Sequence, residues 1–341
     1  MEMIEQLQHR IHWLLINPDT GKQNAYPLKW AESEPEKGNC DFTGLTRSMK
    51  EAQAAGRCLL LRIDPEPPAW SKSPAGDYID FIKEVGRQCA GNPVLYSVDV
   101  VPPCKCSSAE EEDLLRIADA YADSFPDVYK LLDIDCEPIA LYMRNREKTG
   151  LVLDASKGSM QIGAQMEKLG LQKLWEAAPI RMTADELNPD LIEDAKRWHV
   201  SSIDTPAAPE DAAFAVLGSR IEVRHVSAAP HTSLGSLLPV SAWIINSGNA
   251  PCYHDAVFYL RLSRSDMECD LIWDTGFTAG CCYPGEDRSL QTELPVHDLP
   301  EGKYTLQIGL FDRKTGYPIT LGIGGRISDG FYSTFMDITV E

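Results

Sequence analysis

Between about residue 9 and residue 204 the chain repeats one pattern: a short apolar, β-rich run, a polar segment, then a stretch with apolar residues at three- and four-residue spacing. The runs that read as strands span 12–16, 25–29, 58–63, 94–100, 130–134, 150–153, 179–182 and 199–203. Helical spacing occupies 45–55, 78–90, 110–124, 160–169 and 191–198. Strands and helices in alternation predict a parallel sheet covered by helices, and eight strands favour its closure into a (β/α)8 TIM barrel. Roughly 200 residues is short for that architecture, so some helices must be trimmed. No G-x-G-x-x-G opens the first helix, which removes the main support for a dinucleotide-binding sheet.

A stretch rich in Pro, Ala and acidic residues, Thr205 to Asp211, then interrupts the pattern, and beyond it the period changes to two. Segments 220–227, 239–246, 256–264, 269–273, 304–311 and 335–340 alternate apolar and polar residues, with turn formers such as Asn246-Ser-Gly-Asn249 and Pro300-Glu-Gly302 between them. The economical reading is an immunoglobulin-like β-sandwich. The expected organisation is a barrel over 1–204, a linker over 205–212 and a sandwich over 213–341, hence α/β plus all-β. No internal repeat or low-complexity tract is visible.

Charge narrows the partners. With 32 Lys and Arg against 51 Asp and Glu, the net charge of -19 repels phosphate backbones and anionic lipid, which argues against nucleic acid and membrane surfaces and leaves a neutral ligand such as a sugar compatible. The first residues, Met1-Glu-Met-Ile-Glu5, lack the basic-then-apolar pattern of a signal peptide, and no run approaches a membrane span. A cytoplasmic location is therefore expected, or a secreted one if a signal peptide was removed. In the cytosol the ten cysteines would be mostly reduced thiols, and none shows the C-x-x-C spacing of structural zinc. Cys104, Cys106 and Cys136 follow two neighbouring strands and could bring thiols to one rim, but no metal or other cofactor is expected; a homo-oligomer stays open.

In a parallel barrel, charged residues on strands concentrate at the C-terminal mouth, where active sites are built. The run at 58–63 leads into Arg62, Asp64 and Glu66 on one parity; the run at 130–134 leads into Asp133, Asp135 and Glu137 on another. Asp99 and Asp154 close two further runs. Cleavage of a glycosidic bond needs two carboxyl groups across a sugar, about 5 to 5.5 Å apart for retention and about 6.5 to 9.5 Å for inversion. Structural roles compete: Arg62 pairing with Asp64 or Asp135, and the remaining carboxylates capping helices. Trp30, Trp70 and Trp175 near strand ends are candidate platforms for sugar rings or core residues, and Trp198 reads as core. His199 is either a site residue or a satisfied core histidine. No G-x-S-x-G elbow supports a serine nucleophile.

The stretch Trp30-Ala-Glu-Ser-Glu34-Pro35-Glu-Lys-Gly38-Asn-Cys-Asp41-Phe42 resembles the W-x-x-x-E-P-x-x-G-x-x-D-F segment after the second strand of β-galactosidase-like and related glycoside hydrolase barrels. Leu61-Arg-Ile63, Tyr121 to Pro126, Gly150 to Asp154, Trp175 to Pro179, Trp198 to Ser201, Ile245 to Pro251 and Gly302-Lys-Tyr304 are similar, in that order, to bacterial barrel-plus-sandwich proteins of unknown function. The resemblance spans nearly the whole chain and implies a (β/α)8 fold with a carbohydrate-related role. For the hydrolases it also implies an acid/base Glu after the fourth strand and a nucleophilic Glu after the seventh. This chain instead reads Asp99-Val-Val-Pro-Pro-Cys104 and Pro179-Ile-Arg-Met182 there, with Asp185 and Glu186 three and four residues late. One expectation is therefore a glycoside hydrolase or related sugar-processing enzyme using Asp99 and Asp154, as in other sugar-cleaving barrels that place aspartates on strands four and six, with Asp135 or Glu137 as substitute. Substrate contacts are then expected from Trp30, Arg62, Asp64, Glu66, Trp70, Trp175 and His199. The alternative is a carbohydrate-binding protein that kept the pocket without the chemistry.

Overall fold

The computed structural model describes residues 25–55, 58–103, 110–185, 188–204, 217–265, 271–297, 299–327 and 329–341. The predicted strand at 12–16 and the predicted linker lie outside these residues. Up to Leu217 the described chain forms one compact unit, and from Gly218 onward another.

The first unit is a curled parallel sheet of seven strands in sequential order: β1 (Ala25–Lys29), β2 (Leu59–Asp64), β3 (Leu95–Val100), β4 (Tyr129–Asp133), β5 (Thr149–Asp154), β6 (Ile180–Thr183) and β7 (Ser202–Asp204). Among the described residues β1 and β7 are edges, so the sheet is a half-barrel and the closed eight-stranded barrel expected from the sequence is not what is seen. Helices Thr43–Ala54, Pro74–Cys89, Glu111–Ser124, Glu137–Met143, Ser159–Leu169 and Pro189–Arg197 connect consecutive strands, the fourth of them trimmed to two turns. One residue parity along each strand faces these helices: Leu61, Ile63, Val98, Leu132, Leu151, Leu153, Ile180, Met182 and Ile203 are buried with Phe81, Ile82, Val85, Ile117 and Ala118. The helix face is mainly apolar, and area removed from water there stabilises the unit. The opposite parity, on the concave face, holds Arg62, Asp99, Asp133, Asp154, Arg181 and Asp204. A parallel sheet normally buries both faces; the polar residues of the second face set up a site.

The second unit is a sandwich. A three-stranded antiparallel sheet orders Asp287–Pro295, Leu237–Asn246 and Ile221–Ala228. A second sheet orders Leu271–Thr278, Ala256–Ser263, Gly302–Asp312, Phe331–Val340 and His231–Thr232, with Pro318–Ile319 paired to its third strand. Alternate residues of both sheets, among them Val240, Ile244, Leu290, Phe258, Leu260, Ile308 and Ile338, form its core. Among the described residues no helix is long and apolar enough to cross a membrane.

Candidate functional site

All seven strands run the same way, so their C-terminal ends share one edge, and there a cleft of about 1120 Å³ opens onto the concave face. Its lining includes Arg62 of β2, Asp99 of β3, Asp133 of β4, Asp154 of β5, Arg181 and Thr183 of β6 and Asp204 of β7. Asp135, Ser156, Asp185, Asn188, Asp190 and Asp194 reach it from the loops and the final helix. Side chains two residues apart on a strand share a face, which is why single aspartates at strand ends converge.

The floor is an ion pair. Arg181 Nη2 donates to Asp99 Oδ2 at 2.6 Å, with the two side chains 5% and 7% exposed. Burial opposes the guanidinium charge, but Asp99 outweighs it and holds the arginine above its ordinary pKa. Asp99 is thus fixed by a cation, unlike the acid/base residue expected at this position. The competing structural expectation also shifts partner: it is Arg181, not Arg62, that holds a cleft carboxylate at contact distance. Arg62 is exposed in the cleft wall and makes no ion pair among the described residues.

Asp133 behaves differently. It ends β4 and opens into the cleft, and its Oδ1 accepts from the Asp135 N–H at 2.9 Å. Partial desolvation raises its carboxyl above the ordinary range; Lys157 pulls it down, Asp154 pushes it up, and smaller opposing effects come from Arg62 and Asp99. Asp154 Oδ1 accepts from Ser156 N–H at 3.0 Å and Ser156 Oγ at 2.7 Å, capping the 3-10 turn Ala155–Lys157. It does this while lining the cleft.

The remaining sequence candidates divide by position. Strand β4 stops at Asp133, so the parity that would align Asp135 and Glu137 with it is broken: Asp135 sits in the following turn, paired with Lys157, and Glu137 opens a helix and pairs with Lys168 at 2.6 Å. Asp135 lines the cleft and Glu137 does not. Beyond Arg62, neither Asp64 nor Glu66 lines the cleft; the Asp64 carboxylate instead accepts from the Glu66 N–H in a turn. Trp175 and His199 stack at 3.6 Å between ring centroids, but they precede β6 and β7 and so lie at the N-terminal edge, away from the mouth. Trp198 packs over Gly163, where a Cβ would come within 3.1 Å of the indole.

Trp30 and Trp70 are not cleft platforms. Trp30 is fully buried against Trp70, Tyr78 and Phe81, with centroids 6.1, 5.2 and 6.0 Å away. The buried Glu34 carboxylate accepts from Trp30 Nε1 at 2.8 Å and from the Gly38 N–H at 2.7 Å, while Trp70 Nε1 donates to the Glu34 carbonyl at 2.8 Å. Gly38 has φ +77, a backbone conformation that favours glycine, and Asp41 accepts from the Thr43 N–H at the start of the next helix. Each distinctive residue of the W-x-x-x-E-P-x-x-G-x-x-D segment except the proline therefore has a structural task.

Asp133 was visible in the sequence as one of three carboxylates, and the structure singles it out. Arg181, Asp190, Asp194 and Asp204 carried no individual signal; the period-two parity of Arg181 with Thr183 was the cue available. Among thiols, Cys136 is disulfide-bonded and so is no metal ligand, and Cys104 and Cys106 lie outside the described residues. In the sandwich, burial pushes the Cys282 thiol to about 12, and its exposed neighbour Cys281 adds to the shift.

No family model matches the chain, and no curated protein sequence does. Among solved structures, a Thermobacillus composti GH10 xylanase is 13% identical, with TM-score 0.37, over 61% of this chain and 82% of that one. A Listeria innocua beta-glucosidase in complex with isofagomine is 12% identical, with TM-score 0.23, over 86% of this chain and 50% of that one. The CARDB domain of the Pyrococcus furiosus protein PF1109, solved with di-metal ions, is 11% identical, with TM-score 0.21, over 36% of this chain and 89% of that one. Likenesses of this degree assign no activity.

Proposed function

We propose that the cleft is a carbohydrate-processing site in which Asp133 is the proton donor and Asp154 its partner carboxyl group. The observation that carries this reading is a pair of carboxyl groups lining one cleft in different surroundings: desolvation and Asp154 raise Asp133, and Asp154 accepts two hydrogen bonds from Ser156. A carboxyl group raised in this way, with a second carboxyl group beside it, suits a general acid. Asp99, one half of the pair expected from the sequence, is replaced in this reading because Arg181 occupies it.

The second reading is a sugar-binding protein without turnover. It is favoured by the pairing of Asp99, Asp135 and Glu137 with Arg181, Lys157 and Lys168, which turns three candidate catalytic groups into fixed ion pairs.

Turnover of a panel of nitrophenyl glycosides by the full chain, beside Asp133→Asn and Asp154→Asn, separates the two. Activity lost in both variants supports the enzyme with this pair. Activity retained in both rejects the pair, and absence of turnover with sugar-dependent thermal stabilisation leaves the binding protein.

A further inference from the structure

Aspartates outnumber arginines eight to two in the lining of the cleft, yet its charge is not uniform. Arg62 and Asp99 are register partners on β2 and β3, and Arg181 reaches the same Asp99 from β6. Asp99 pairs with Arg181, whose charge Asp204 also meets, so the remaining cation of the lining is Arg62. Arg62 makes no ion pair among the described residues and is exposed. Arg181, only 4% exposed, gives one N–H to Asp99 and leaves Nε and Nη1 without a hydrogen-bond partner. Those two donors are closed off from solvent, so the cation that a ligand in the cleft can reach is Arg62.

A free multivalent anion fits this corner poorly, because the aspartates along β4 to β7 repel it. A single carboxylate carried on a ligand whose other groups donate hydrogen bonds fits both halves. The carboxylate faces the Arg62 guanidinium, whose planar N–H geometry matches it, and hydroxyl groups face Asp133, Asp154 and Asp204. We infer that the cleft takes an acidic sugar, a hexuronic acid or a glycoside of one, with Arg62 as the residue that receives its carboxylate. This inference rests on the sugar reading of the site and names its substrate class.

The test is calorimetric titration of the full chain with glucuronate and galacturonate beside glucose, galactose, acetate and inorganic phosphate. The expected result is a uronate bound at least about tenfold more tightly than its neutral parent sugar, and more tightly than acetate or phosphate. Arg62→Gln should erase the difference between acid and neutral sugar, and Arg62→Lys should keep part of it, with both variants melting as the parent does. Equal affinity for uronate and parent sugar, phosphate or acetate binding as tightly as the uronate, or an undiminished preference in Arg62→Gln overturns the inference. Binding of neutral sugars without a uronate preference would sink this inference while leaving the sugar reading intact. Failure of every sugar, acidic and neutral, would sink both.

Discussion

Arg181 on β6 and Asp99 on β3 meet at 2.6 Å although three strand intervals separate them in the sheet. In a flat sheet those strands would stand about 14 Å apart, beyond what the two side chains can span comfortably. The ion pair is therefore a chord across the concave face, and it reports how tightly the sheet curls. The same chord occupies the floor of the cleft and gives Asp99 a buried cationic partner.

Cutting this chord on one side should be far more costly than replacing it. Arg181→Leu or Asp99→Leu leaves a buried charge without its partner, and each should destabilise the chain by about 3–5 kcal/mol. The double replacement Asp99→Leu with Arg181→Met should cost less than either single change. Urea unfolding of the three variants checks this, and additive losses in the double variant would show that the two side chains do not act as a pair.

Lys130 supplies a pH signature remote from the cleft. It lies on the helix-facing parity of β4, is 3% exposed, and its Nζ donates to the Phe125 carbonyl at 3.3 Å. Burial lowers its pKa from 10.5 to about 8, with Lys148 adding to the effect. A lysine lowered on folding binds fewer protons in the native state, so it opposes folding below pH 8 and the penalty fades as pH rises from 8 to 10.5. Lys130→Met should therefore stabilise the chain at pH 7 by on the order of 2 kcal/mol, with the gain fading by pH 10.5. Denaturation midpoints across that range decide the point.

Glu34 offers a test of the segment that resembles hydrolase barrels. Its carboxylate joins the buried Trp30 indole to the backbone of Gly38 in the exposed turn that follows. Glu34→Ala strands the buried Trp30 indole N–H and should cost about 1–3 kcal/mol, whereas Glu34→Gln keeps one acceptor and should cost less. Neither should alter ligand affinity measured well below the melting temperature, since Glu34 does not line the cleft.

Much of this architecture is legible along the chain because buried parallel strands are near-continuous apolar runs. The runs at 25–29, 58–63 and 94–100 match β1, β2 and β3 to within one residue at each end. The final run is less well placed: His199 adopts φ 52 in a turn, and β7 begins only at Ser202. Strand Asp287–Pro295 escapes the period-two reading because its inward apolar residues are only Leu290 and Leu294, four apart, a spacing that also suits a helix. The site is legible in kind but not in detail. Carboxylates at strand ends point to the mouth, yet the partner that Asp99 meets lies 82 residues away in sequence, and only the curl of the sheet brings it there.

The proton-donor role proposed for Asp133 carries a sign as well as a size. Its pKa is raised on folding, so the native state holds its proton more firmly than the unfolded chain does, and stability falls as pH climbs through the window between the ordinary carboxylate value and the raised one. Asp133→Asn should remove that fall and stabilise the chain modestly at neutral pH, by less than about 1 kcal/mol because the group opens to solvent. The same change should lower turnover by about 10²- to 10⁴-fold if Asp133 delivers the proton. The neighbours should move its titration in opposite directions: Asp154→Asn removes a negative charge and lowers the Asp133 pKa, and Arg62→Gln removes a positive charge and raises it. Carbon-13 NMR titration of the Asp133 carboxyl reads both shifts without any assay of activity. Movement of both variants in the same direction would show that Asp133 is not set by the charges around the cleft.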